Sequence, residues 1–148
     1  MQHGIFVAPF GPLADPHRVM QLATAVEEAG WDGLFLWDHV LRPESNEILD
    51  PWVTMAAVAT CTDRIRMGPM VTPIARRRPI KLAREILTLD LLSQGRLTVG
   101  LGLGVDSGGE LSRFAEETRD PFLLESVVAP AYRVFRRLRG TTLVDIAG

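Results

Sequence analysis

Gly30-Trp31-Asp32-Gly33-Leu34-Phe35-Leu36-Trp37-Asp38-His39 runs from a helix stop, through an unbroken apolar strand, into a polar exit. Gly95-Arg96-Leu97-Thr98-Val99-Gly100-Leu101-Gly102-Leu103-Gly104 repeats the pattern, with glycines at the exit. Enzymes built on parallel strands place their active sites at the carboxyl ends of those strands. Chemistry is therefore expected just past Trp37 and Leu101.

Working outward, Gly4 to Pro9 is an apolar run closed by proline, and Asp15-Pro16 begins a helix that stops at Gly30. An Asp cap followed by Pro in the first turn satisfies one free backbone N–H and removes another. Asp50-Pro51 repeats that start for a helix running to about Thr60. Arg66 to Val71 reads as the third strand. Pro79 opens a helix with Ala83, Ile86, Leu87 and Leu91 at helical spacing, Gly95 ends it, and Leu97 to Leu101 is the fourth strand. A last helix is expected from about Pro121 to Arg139, kinked or divided at Pro130, and Thr141 to Ile146 reads as one further short strand.

Apolar strands alternating with amphipathic helices imply an α/β fold with a parallel sheet and right-handed crossovers. An eight-stranded (β/α) barrel takes about 250 residues, and this sequence has 148. The expected architecture is the parallel (β/α)4 half of a TIM-type barrel, with a fourth helix and a short C-terminal tail. Residues 1–148 read as a single domain without linker, repeat or low-complexity tract.

With 47% hydrophobic residues and a formal charge of −2, the composition suits a globular protein and disfavours a nucleic-acid partner. Cys61 is the single cysteine, which rules out an internal disulfide and a thiolate metal site, makes a small buried role the expectation for it, and points to the cytoplasm. No stretch approaches the roughly 18 apolar residues of a membrane span, so neither membrane nor secretion is expected.

His3 and His17 lack ligand-spaced neighbours, so no metal site is expected. Ser45, Ser93, Ser107, Ser112 and Ser126 lie outside any nucleophile-elbow context. Gly100, Gly102 and Gly104 fail the GxGxxG fingerprint, because Val105 or Ser107 falls at its last position. Space for a ligand ring and close packing both remain open for these glycines. Arg76-Arg77-Arg78 reads either as a phosphate fork or as solvated surface, and Arg136, Arg137 and Arg139 read as helix-dipole partners.

From about Ile5 to Gly104 the sequence resembles the luciferase-like family of flavin- or deazaflavin-dependent oxidoreductases. The resemblance is carried by Glu28-Ala29-Gly30-Trp31-Asp32-Gly33 leading to Trp37-Asp38-His39, Val71-Thr72-Pro73 before Arg78-Pro79, Leu89-Asp90-Leu91-Leu92-Ser93-Gln94-Gly95-Arg96, and the run Gly100 to Gly104, in the family's order. It implies a (β/α) barrel and a bound cofactor, FMN or the deazaflavin coenzyme F420. It also implies that His39 and Asp38 face the cofactor ring and substrate. An imidazole can hold or pass a proton while a hydride moves, and the adjacent carboxylate can bond the ring or raise imidazole basicity. The alternative is that the Asp-His pair caps a loop.

Met70, Val71 and Thr72 match the place where many members carry a bulge with a non-proline cis peptide behind the cofactor ring; the alternative is an ordinary turn at Thr72-Pro73. Gly102 and Gly104 match cofactor-facing positions. Val105 departs from the acid or tryptophan of many relatives, and phosphate loops that follow strands seven and eight of a barrel have no counterpart in four strands.

A half barrel exposes strand edges, which natural proteins seldom leave bare. A homodimer closing two sets of four strands, or a separately encoded C-terminal half, is the expected partner beside a small-molecule substrate. The dimer would bring Arg76 to Arg78 and Gly102 to Gly109 to the phosphate position. Two functions follow: an oxidoreductase or monooxygenase, transferring hydride or activating oxygen through the cofactor, and a non-catalytic remnant or regulatory binding module.

Overall fold

Two Asp-Pro helix starts and four apolar runs set the frame. The computed structural model describes residues 1–43, 45, 47–102, 104–106, 109–110 and 112–113, and the backbone of 142–145. Strands β1 (Gly4–Val7), β2 (Gly33–Leu36) and β3 (Arg66–Pro69) pair in parallel in that order, and so do β4 (Thr72–Pro73), β5 (Thr98–Gly102) and β6 (Thr142–Asp145). A parallel bridge between Met67 and Leu97 joins the two groups. The third strand expected over Arg66 to Val71 is thus broken. β3 ends at Pro69, the Met70–Val71 peptide is cis, and pairing resumes at Thr72.

The helices are α1 (Pro16–Glu28), α2 (Pro51–Cys61) and α3 (Pro79–Leu92). Asp15 accepts the N–H of His17 at 2.9 Å, and Asp50 accepts that of Val53 at 2.9 Å. Gly30 and Gly95, with φ of +83° and +82°, turn the chain out of α1 and α3, a conformation that costs glycine little. Cys61 is half-buried at the end of α2. Among the described residues no helix is long and apolar enough to cross a membrane.

The core lies between helices and sheet. Leu34 and Leu36 of β2, Met67 of β3 and Val99 of β5 are fully buried with Val19, Met55, Val58, Leu82 and Ile86 of the helices. Burying each such side chain contributes about 1.5–3 kcal/mol. Alternation along a strand turns Ile5 and Val7 toward this core and leaves Phe6 on the other face, in register with Phe35 and Gly68.

That second face is cleared by glycine. A Cβ on Gly68 would collide with the backbone oxygen of Thr98, and one on Gly100 would sit 2.6 Å from Met70 Sδ and 2.8 Å from Val71 Cγ1. Close packing against the interrupted third strand is therefore what these positions require.

The expected further strand is present, and β6 pairs in parallel with β5. Its presence corrects the four-strand count. The outer edge of β5, which a closure of four strands on four would use, is occupied by β6. Among the described residues β1 and β6 each pair on one side only. The expected last helix from Pro121 to Arg139, with Pro130, Arg136, Arg137 and Arg139, lies outside the described residues, as do Ser107 and Ser126.

Candidate active site

The carboxyl ends of the strands meet around one open pocket of about 520 Å³, lined by Phe6, Trp37, Asp38, His39, Met70, Val71, Pro73, Gly102, Gly104, Val105 and Glu110. This size is within the ordinary range for small-molecule sites. β2 delivers Trp37 to His39 directly, because Trp37 N–H donates to Val7 O and Met70 N–H to Leu36 O, at 3.1 and 2.8 Å. Those bonds carry the sheet ladder past the strand ends and hold the His39 segment beside Met70–Val71.

Six of the sequence-derived candidates line this pocket: Asp38, His39, Met70, Val71, Gly102 and Gly104. Thr72 does not. It is fully buried behind the pocket, where its hydroxyl donates to Asp38 Oδ2 at 2.8 Å and accepts from Trp52 Nε1 at 3.2 Å. Gly102 and Gly104 lie close to the neighbouring strand, since added Cβ atoms would approach Val71 Cγ2 to 2.7 Å and Pro73 Cβ to 3.0 Å.

Asp38 is 3% exposed, and both of its oxygens are engaged. Arg76 Nη2 donates to Oδ1 at 2.9 Å, and Arg77 Nη2 joins Thr72 on Oδ2 at 3.0 Å. Arg76 Nη2 also donates to the Asp38 carbonyl. The solvated-surface reading is thus corrected for Arg76 and Arg77 and fits Arg78. Arg76 and Arg77 hold Asp38, with Arg77 additionally 3.5 Å from Glu85 and 4.0 Å from Asp50; Arg78 is exposed at the start of α3.

The carboxylate that meets the imidazole belongs to Glu110. His39 Nδ1 lies 2.9 Å from Glu110 Oε2 and 3.0 Å from Oε1. Glu110 Oε1 also accepts the N–H groups of Val40 and Leu41, each at 3.0 Å. Glu110 is only 4% exposed. Burial pushes its carboxyl up, but the Leu41 N–H, His39 and the Arg76 guanidinium together outweigh it and hold the group below 4.5. No sequence signal marked Glu110. It is 71 residues from His39, in a Gly- and Ser-rich stretch that carries no motif.

The pocket has the character a flat heteroaromatic ring needs. Met70, Val71, Val105, Phe6 and Trp37 supply apolar surface, and His39 with Glu110 supplies one polar end. The described lining residues include no Lys or Arg, so a phosphate tail finds no cation among them. No group of three or more His, Cys, Asp or Glu side chains capable of holding a metal occurs among the described residues.

A family model described as luciferase-like monooxygenase matches residues 1–130. Over 92 residues the chain is 36% identical to the F420-dependent glucose-6-phosphate dehydrogenase of Amycolatopsis mediterranei, a match covering 60% of this chain and 28% of that protein. Over 106 residues it is 32% identical to the 4-hydroxyprotoasukamycin monooxygenase of Streptomyces nodosus subsp. asukaensis, covering 68% and 28%. The oxygenating constituent of 3,6-diketocamphane monooxygenase from Pseudomonas putida, solved in complex with FMN, shares the fold at a TM-score of 0.72 and 24% identity, over 90% of this chain and 38% of that one. The match thus takes in 28% of the length of each of those two curated relatives.

Proposed function

Because the chain belongs to the luciferase-like monooxygenase family, we propose that it serves an oxidoreductase reaction carried by bound FMN or the deazaflavin, with His39 handling the proton. The observation that carries this reading is the buried Glu110 carboxylate on His39 Nδ1 at the mouth of the pocket. A bound cofactor of this kind supplies the hydride donor or acceptor and, for a flavin, the means to activate oxygen.

The chain's own residues divide the remaining work. When Nδ1–H is donated to Glu110, a neutral imidazole carries its lone pair on Nε2, facing away from the carboxylate. Nε2 then takes up or returns the proton that accompanies hydride movement. General acid–base catalysis of this type contributes about 10²–10⁴-fold. Met70, Val71, Gly102 and Gly104 would hold the cofactor ring. Asp38 acts as a positioning residue, since its oxygens are committed to Thr72, Arg76 and Arg77.

The phosphate end of the cofactor is not supplied by the described lining residues. We assign it to residues outside them or to another polypeptide. The five parallel strand positions are read as a partial (β/α) barrel whose β1 and β6 edges take a complementary surface, from a second copy or from a separate C-terminal half.

Absorbance and fluorescence titration with FMN and with the deazaflavin tests the reading. Binding of one cofactor, weakened or inactivated by His39→Ala, is the expected result. Failure of both to bind under all assembly states favours the binding-module alternative.

A further inference from the structure

We propose that a second copy of this chain docks on the outer face of α2 and α3, paired about a twofold axis, in a contact that leaves both strand edges free. The inference makes no use of the redox reading and stands or falls apart from it.

The outward side of α2 carries no charge. From Pro51 to Cys61 the helix contains no Asp, Glu, Lys or Arg, and Val53, Ala56, Ala57 and Thr60, spaced i, i+3, i+4 and i+7, run along its open side. α1, by contrast, turns His17, Arg18, Gln21 and Glu28 to solvent. A helix that is apolar on every side is ordinarily a buried one, yet in the single chain Val53 is 73% exposed. The same face continues into a groove of about 400 Å³ shared with α3, where Trp52, Ala56, Leu89 and Leu92 supply apolar surface. Leu92 is itself 44% exposed. Contiguous open apolar surface rimmed by polar residues marks a protein contact.

The face selects a second copy because it complements itself. A twofold contact sets one patch against the same patch, so the patch must offer both signs of charge and both a projection and a recess. Along the groove Lys81 Nζ lies 2.8 Å from Glu85 Oε1, and Arg84 lines the same groove without an ion-pair partner among the described residues. Val53 supplies the projection and the groove supplies the recess. A wholly acidic partner would meet like charge at Glu85, and a wholly basic one at Arg84. The strand edges offer a copy no such match, since β6 already pairs with β5 on its outer side, and every residue lining the groove belongs to α2 or α3.

Size-exclusion chromatography with light scattering on the full chain, over a wide range of concentration, tests the proposal. Wild type is expected at twice the 16.3 kDa chain mass. Val53→Lys, which adds a further cation to the groove at an exposed position, is expected to keep the wild-type circular dichroism spectrum. It should raise the dimer dissociation constant at least about thirtyfold, the scale of one lost hot-spot residue. Leu92→Lys, entering from the α3 side, is expected to do the same. Wild type that stays monomeric at every concentration overturns the proposal. A dimer that both variants leave intact overturns it as well, because neither position touches β1 or β6. Should Val53→Lys fail to fold, Leu92→Lys decides alone.

Discussion

Glu110 holds His39 by its Nδ1 at 2.9 Å while accepting the backbone N–H groups of Val40 and Leu41. One buried carboxylate thus fixes both the imidazole and the loop that follows it. Its carboxyl is held below 4.5 in the folded protein, so its stabilising contribution is fully present above that pH. The contribution is lost as pH falls through the lowered value, because the unfolded chain takes up the proton first. Urea unfolding of wild type and Glu110→Gln from pH 7 to pH 3 should show the wild-type advantage shrinking below about pH 4.5. An advantage that stays constant across this range would remove the carboxylate from the account.

Thr72 links Trp52 to Asp38 through one hydroxyl. Thr72→Val keeps the shape but leaves a buried indole N–H without its acceptor and a buried carboxylate short of a donor. Unsatisfied buried groups cost about 1–3 kcal/mol each, so a loss of about 2–4 kcal/mol is expected by chemical denaturation.

Gly68 and Gly100 differ in what an added methyl would meet. At Gly68 it strikes the backbone oxygen of Thr98, which cannot move without parting β3 from β5, whereas at Gly100 it meets the Met70 and Val71 side chains. Overpacking usually costs about 1–3 kcal/mol, and more where nothing can relax. Gly68→Ala should therefore fall at or above the top of that range and Gly100→Ala within it. The reverse order in denaturant midpoints would show that the Met70–Val71 segment is the more rigid neighbour.

Much of this frame is legible in the sequence because local chemistry writes it. Asp15-Pro16 and Asp50-Pro51 announce α1 and α2, and the apolar runs at Gly33 and Leu97 announce buried strands. What escapes is decided by contacts between distant residues. The hydrophobicity of the run from Met67 to Val71 is continuous through the break after Pro69, and only the family resemblance points to a bulge with a cis peptide there. Three consecutive arginines look alike, yet tertiary packing buries Arg76 against Asp38 and leaves Arg78 exposed. Glu110 reaches His39 only because the chain returns after β5, and no spacing rule spans that return.

The Arg76–Asp38 pair separates a structural role for the arginine run from a ligand-binding one. Both side chains are nearly inaccessible, at 5% and 1% exposure, with Nη2 and Oδ1 2.9 Å apart. Removing one member of such a pair strands the other charge in the interior and typically costs about 3–5 kcal/mol, whereas replacing both with well-packed neutral groups costs far less. Arg76→Met is therefore expected to destabilise strongly, and Asp38→Asn combined with Arg76→Met to recover part of the loss. At a temperature where the single variant is still folded, its affinity for FMN or the deazaflavin should fall by less than about threefold, because the guanidinium is committed to protein carboxylates. A loss of about a hundredfold in cofactor affinity, the scale of two factors of ten or about 2.7 kcal/mol, with unchanged stability would instead mean that Arg76 leaves Asp38 to bind the cofactor phosphate.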